Sequence, residues 1–363
     1  MVAVHQFVPT YAPRDAVGTH TRHARRVLRD MGIESDIFVD GATGARRGEV
    51  TPFRRFDEAS RRSGPAWLLY QLSTGTKMAD FLAARDEPLV VNYHNVTPWA
   101  LVAPWEPLVG AELRLGREQL DRLAGRARLG VAVSTYNEGE LREAGYPATT
   151  VAPVLVDLDG LAAEADRPTL DRLRSEGDGP AWLFVGRVVP HKAQHDVVRA
   201  FALYRQGYDG RARLRLVGAV GSHAYWTALR RYVDALGLAG AVTLTGSVTD
   251  AELAAHYRAA DVFVCLSDHE GFNLPVVEAM RHRVPVVAHT AGAVPETVGD
   301  AGLVLPGKEP ARVAAAVDRV VRDGALRSAL TAAGDQRAAQ FTLDRAEARF
   351  RQVVGDLLDG AAG

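Results

Sequence analysis

Apolar runs short enough for buried strands alternate with amphipathic stretches along the chain. In the first half the runs cover residues 2–8, 34–39, 67–73, 89–94 and 129–134, and residues 19–31 carry Val27, Leu28 and Met31 at helical spacing. In the second half they cover 181–185, 214–217, 242–244, 261–266, 284–288 and 302–305, with helical patterns at 193–204 and 226–236. Apolar strands alternating with helices predict parallel sheets covered on both faces. Residues 153–179 lose that periodicity and gather Asp, Glu, Pro and Gly, the composition of a hinge. The pattern predicts two Rossmann-like, doubly wound α/β domains, residues 1–155 and 156–343. Two such domains in series are expected to hold a ligand in the central cleft between their strand ends, using loops from both.

Composition narrows this picture only slightly. The chain has 363 residues, enough for two cores of ordinary size. A formal net charge of -1 argues against a nucleic-acid partner. The single cysteine, Cys265, lies inside an apolar run, so no disulfide forms within the chain and a reducing compartment suits it. The opening residues lack the pattern of a signal peptide, and no run approaches the roughly 18 apolar residues of a spanning helix. A cytoplasmic protein without an integral membrane segment is expected. Of 43 basic residues only Lys77, Lys192 and Lys308 are lysine.

The chemistry gathers in loops that follow strands. Residues 269–280, His-Glu-Gly-Phe-Asn-Leu-Pro-Val-Val-Glu-Ala-Met, follow an apolar run and place Pro275 in the first turn of a helix. The amides of Gly271 to Leu274 then lie at the positive end of a helix dipole, suited to a phosphate or a sugar hydroxyl. Glu270 and Glu278 fit one cleft, and by spacing alone they equally fit solvated charges beside an ordinary turn. Residues 186–192 carry Arg187 and Lys192, two cations able to meet a diphosphate, or else a solvated basic loop. His94 ends the run 89–94, where either a ligand contact or a structural histidine is at home. Gly18 precedes a long helix and suits a phosphate contact or a simple turn. Gly246, Ser247 and Val248 follow the run 242–244 as a small apolar shelf for a base. Asp157-Leu158-Asp159 has metal-binding spacing but reads as an acidic turn of the hinge.

The order of these motifs carries more than any one of them. G-R-x-x-P-x-K at 186–192, V-x-L-x-G-x-V-x-x-x-E-L at 242–253, E-G-F-x-L-P-x-x-E-A-M at 270–280 and V-P-E-T-V-G-D-A-G at 294–302 resemble the retaining glycosyltransferases of the glycosyltransferase-4 family. The resemblance covers the second half closely and the first half loosely. It implies the two-lobed GT-B fold, with a nucleotide-sugar donor held mainly by the second domain and a last helix, from about residue 344, that returns to the first.

By that resemblance Arg187 and Lys192 bind the donor diphosphate, joined by Gly18, and Glu278 binds the nucleotide ribose while Ser247 and Val248 lie against the base. Glu270, Gly271, Phe272, Asn273 and Leu274 form the pocket for the transferred sugar, with Glu270 and His94 nearest the reacting carbon. Two departures stand out: one glycine, Gly18, where many members have two, and P-V-L-V-D at 153–157 without the usual glycine. Asn273, at a position often small, is expected to tune which sugar is accepted. The implied reaction moves a hexose-type sugar from a UDP- or GDP-sugar to an acceptor hydroxyl with retention, without a metal or other cofactor. Residues 9–18 and 94–107 are expected to hold the acceptor. Tyr11, Arg14, Asp15, Trp99, Trp105 and Glu106 among them suit a small polar molecule such as an aminocyclitol, a small glycoside or another secondary-metabolite precursor. A nucleotide-sugar 2-epimerase and a non-catalytic sugar-binding protein are the alternatives.

Overall fold

A computed structural model describes residues 2–12, 15–60, 66–158, 160 and 164–360. The chain divides into two compact units. Unit 1 comprises the chain up to Trp99, Leu108–Val156 and the stretch from Leu343, and unit 2 comprises Ala100–Pro107 and Asp157–Thr342. The eight residues 100–107, expected in the first domain, therefore group with the second. The Trp105 ring meets Tyr225 edge-on at 5.2 Å, and the Ser222 hydroxyl donates to Glu106 at 2.5 Å.

Unit 1 is a seven-stranded parallel sheet ordered β3-β2-β1-β4-β5-β6-β7. Its strands are β1 (Ala3–Tyr11), β2 (Ile37–Ala42), β3 (Thr51–Pro52), β4 (Ala66–Leu72), β5 (Leu89–Tyr93), β6 (Ala127–Ala132) and β7 (Thr149–Val151). Unit 2 holds β8 (Ala181–Val185), β9 (Arg213–Val217), β10 (Val242–Gly246), β11 (Val262–Cys265), β12 (Val286–His289) and β13 (Gly302–Leu305), ordered β10-β9-β8-β11-β12-β13 and also parallel. Both sheets run outward from their first strand in two directions, the doubly wound Rossmann plan. The apolar runs become strands because both sheet faces are covered: Trp182, Phe184, Phe201, Leu214, Val264 and Val287 share one buried cluster in unit 2. Burying each such side chain stabilises the fold by about 1.5–3 kcal/mol.

The strand order reverses between β1 and β4 in unit 1 and between β8 and β11 in unit 2. Parallel α/β sheets present ligand crevices at these switch points, beyond the carboxyl ends of the strands. In unit 2 the loops that leave β8 and β11 are residues 186–193 and 266–273, the two richest in chemistry.

The expected hinge at 153–179 is not wholly irregular. It contains the helix Arg167–Ser175, begun by Asp166, whose carboxylate accepts from the Thr169 amide at 2.9 Å, and seated through Leu170 and Leu173 against Ala255. Among the described residues no helix is long and apolar enough to cross a membrane.

Candidate active site

In the loop after β8, Pro190–Lys192 form one 3-10 turn, and Ala193 takes a left-handed conformation at φ 49° before the helix Gln194–Gly207 begins. That turn aims Lys192 at the loop after β11. Its Nζ lies 2.7 Å from Oε1 and 2.6 Å from Oε2 of Glu270, whose residue is 5% exposed. The Asp268 amide donates to the His191 carbonyl at 2.8 Å and ties the loops together. Arg187 is exposed, and its carbonyl accepts from the Gln194 amide group at 2.9 Å, leaving the guanidinium on the surface beside the turn.

The Glu270 carbonyl accepts from the Ala293 amide at 2.9 Å, and a side chain on Gly292, at φ 53°, would stand 2.2 Å from that oxygen. Gly292 is thus required for the loop to close. The Thr297 hydroxyl donates to the Phe272 carbonyl at 2.6 Å, so the turn from Glu270 to Asn273 is held from both ends. Next comes the helix Leu274–Arg281 with Pro275 in its first turn. The first amides of a helix have no acceptor within it, and their partial positive charge stands beside the Lys192–Glu270 pair.

Glu278 sits in that helix and receives the Tyr257 hydroxyl on Oε2 at 2.7 Å. Burial raises its pKa, opposed by that hydrogen bond. The Tyr257 ring stacks on His282 at 5.0 Å. One oxygen of Glu278 is thus fixed by Tyr257. Ser247 is exposed and Val248 half-buried after β10, next to the capping box that Thr249 makes with Glu252. Unit 2 therefore brings together Lys192, Glu270 and the turn Gly271 to Leu274. Tyr257 and Gly292 were missed, since only the fold shows what they touch.

Two expectations need correction. Asn273 does not offer its side chain to a ligand. It is 6% exposed at φ 71°, with Nδ2 3.1 Å from the Cys265 sulfur, so the amide is spent inward and holds the left-handed turn. Gly18 has its amide bound to Asp15 Oδ1 at 2.6 Å, and a Cβ there would lie 1.9 Å from the Ala12 carbonyl oxygen. It serves a tight helix start, and its N–H is not free for a phosphate. Of the acidic hinge motif, the Asp157 carboxylate accepts from the Gly160 amide at 2.8 Å, the role of a turn, whereas Asp159, like Arg14, lies outside the described residues.

In unit 1, His94 follows β5, and Asn95 at φ 83° turns the chain immediately after it. The His94 Nε2 lies 2.7 Å from Gln71 Oε1. An amide oxygen can only accept, so the His94 proton sits on Nε2 and Nδ1 is left as an acceptor. Desolvation pushes the pKa of His94 down to about 3, so the ring is neutral near pH 7. Gln71 is oriented in turn by Gln6, which is anchored on the Thr21 carbonyl. The His20 ring packs edge-on to His94 at 4.8 Å and accepts the Leu155 amide on Nδ1 at 3.1 Å. His94 is thus a rigid neutral acceptor and not a mobile acid.

Two doubly wound parallel-sheet units with acidic and basic groups at the second switch point have the plan of the GT-B glycosyltransferases. The family described as Glycosyl transferases group 1 matches residues 179–323. A GDP-mannose-dependent alpha-(1-6)-phosphatidylinositol monomannoside mannosyltransferase of Mycobacterium tuberculosis is 30% identical over 90% of this chain and 95% of its own length. A D-inositol 3-phosphate glycosyltransferase of Kineococcus radiotolerans is 33% identical over 75% of this chain and 67% of its own. The solved sucrose-phosphate synthase of Thermosynechococcus elongatus shares the fold at a TM-score of 0.77 and 19% identity, over 99% of this chain and all of the other. The chain belongs to the glycosyltransferase-4 family.

Proposed function

We propose that the chain transfers mannose from GDP-mannose to a hydroxyl of an inositol-type or small glycoside acceptor, with retention at the anomeric carbon and without a metal. The Lys192–Glu270 pair carries this reading. It sets a fixed cation and a fixed carboxylate side by side at a helix start, where a nucleoside diphosphate sugar needs one group for its phosphates and one for its sugar hydroxyls. As the glycosidic bond breaks, positive charge grows on the sugar and negative charge on the leaving diphosphate. Lys192, Arg187 and the amides before Leu274 answer the negative charge by preorganised electrostatics. Glu270 orients the sugar, Glu278 takes the ribose, and the diphosphate receives the acceptor's proton. GDP-mannose is favoured as donor by the mycobacterial relative, and an inositol ring as acceptor by the names of both relatives.

The test is proton NMR of the purified chain with GDP-mannose and inositol 1-phosphate in EDTA. An α-mannoside product supports the proposal. A β-linked product rules out retention, and loss of donor without any acceptor would favour the epimerase.

A further inference from the structure

We propose that unit 1 carries a second binding site, for an organic phosphate or carboxylate with an apolar body, at the opposite end of its sheet from His94. The site is a cavity of about 720 Å³ between the amino ends of β4 to β7 and the helix Leu343–Asp359. Small-molecule sites occupy roughly 300–1,000 Å³. Trp67 opens β4 and Pro88 directly precedes β5, whereas His94 follows β5, so the parallel strands separate this cavity from the groups discussed above.

Its chemistry is amphipathic. Trp67, Leu129 and Leu357 supply a half-buried apolar wall. Arg126, Arg128 and Arg349 supply three guanidinium groups. Arg126 donates to the carbonyls of Arg85 and Glu87, and Arg349 donates to the Val151 carbonyl at 2.9 Å and the Thr150 hydroxyl at 2.5 Å. These acceptors are neutral and orient both groups; the Glu87 carboxylate, already paired with Arg85, answers the Arg126 charge only in part. The exposed Arg128 side chain has no hydrogen bond or ion pair among the described residues. Asp86 and Asp356 also line the cavity, but among the described residues neither is ion-paired to these arginines, and the cations outnumber them. Arginines fixed by carbonyls beside a tryptophan suit a ligand that ends in a phosphate or carboxylate and carries an apolar portion. A neutral sugar would leave the guanidinium charge unanswered.

The experiment uses the whole chain and the fluorescent anion 1-anilinonaphthalene-8-sulfonate as probe. Saturable binding at one site per chain is expected, weakened at least about tenfold by Arg128→Glu and less by Arg128→Ala. Leu357→Asn should also weaken it, whereas calorimetric binding of GDP should be unchanged in all three variants. Dodecyl phosphate should displace the probe. Displacement by inorganic phosphate as well would assign a free-phosphate subsite, and displacement by phosphatidylglycerol vesicles a lipid source. Equal probe affinity in Arg128→Glu and the unaltered chain would overturn the proposal, and so would displacement of the probe by GDP.

Discussion

Lys192 and Glu270, 78 positions apart in sequence, meet with the lysine nitrogen within 2.7 Å of both carboxylate oxygens. The contact joins the loops after β8 and β11 across the switch point of unit 2. Each group is the other's partner, and under the proposed function the donor phosphates and sugar hydroxyls would meet a pair that is already largely desolvated and aimed, with little spent on reorganisation.

Glu270→Ala is expected to lower kcat by two orders of magnitude or more while GDP affinity falls less than about tenfold. Removing a group that acts on the sugar in the transition state costs turnover more than it costs nucleotide binding. Steady-state kinetics paired with GDP titration checks this, and unchanged turnover would remove Glu270 from the site.

Tyr257→Phe deletes the hydroxyl that fixes Glu278. The loss of one hydrogen bond to a charged acceptor is worth about 1.5–3 kcal/mol. The expected effect is a rise in the donor KM with a small change in kcat, because the ribose partner loses its orientation and the sugar pocket does not. A fall in kcat alone would contradict this division of labour.

Asn273→Gly is expected to leave the preference among nucleotide-sugar donors unchanged, since the side chain faces Cys265 and not the pocket. Asn273→Ala should destabilise the chain by about 1–3 kcal/mol, from a left-handed alanine and a lost hydrogen bond. Denaturant unfolding and a donor panel measure the two effects.

Acid should weaken the fold as buried histidines are called on to protonate. Burial lowers the pKa of His256 to about 4 and of His94 to about 3. Once unfolded, each titrates near 6.5. The unfolded chain thus takes up protons first as pH falls, and the stability present above about pH 6.5 is lost progressively toward pH 4. Thermal unfolding between pH 7.5 and 5 should show a falling Tm, and His256→Gln should flatten the slope.

Much of this architecture is legible in the sequence for a physical reason: strands covered on both faces must be apolar throughout. The same logic fails for β3 and β7, of two and three residues, too short to form a pattern. It also fails for the helix Arg167–Ser175, whose buried face is two leucines and a threonine in an otherwise charged stretch. In the site, Lys192, Glu270 and Glu278 stood out as charges beside strand ends. Tyr257 did not, because its partner lies 21 residues away and reads locally as one more helical aromatic. The sequence left Gly18 open between a phosphate contact and a turn and did not show that the Asn273 side chain faces inward, because a sequence shows which groups are present and not which way their donors point.

The most direct measurement is titration calorimetry of GDP into the unaltered chain and Lys192→Ala, both in EDTA. Saturable binding by the former, and affinity weakened by about 1.5–3 kcal/mol in the latter, is the predicted result. Equal affinity in the two proteins would place the diphosphate elsewhere and contradict the assignment of the donor site to unit 2.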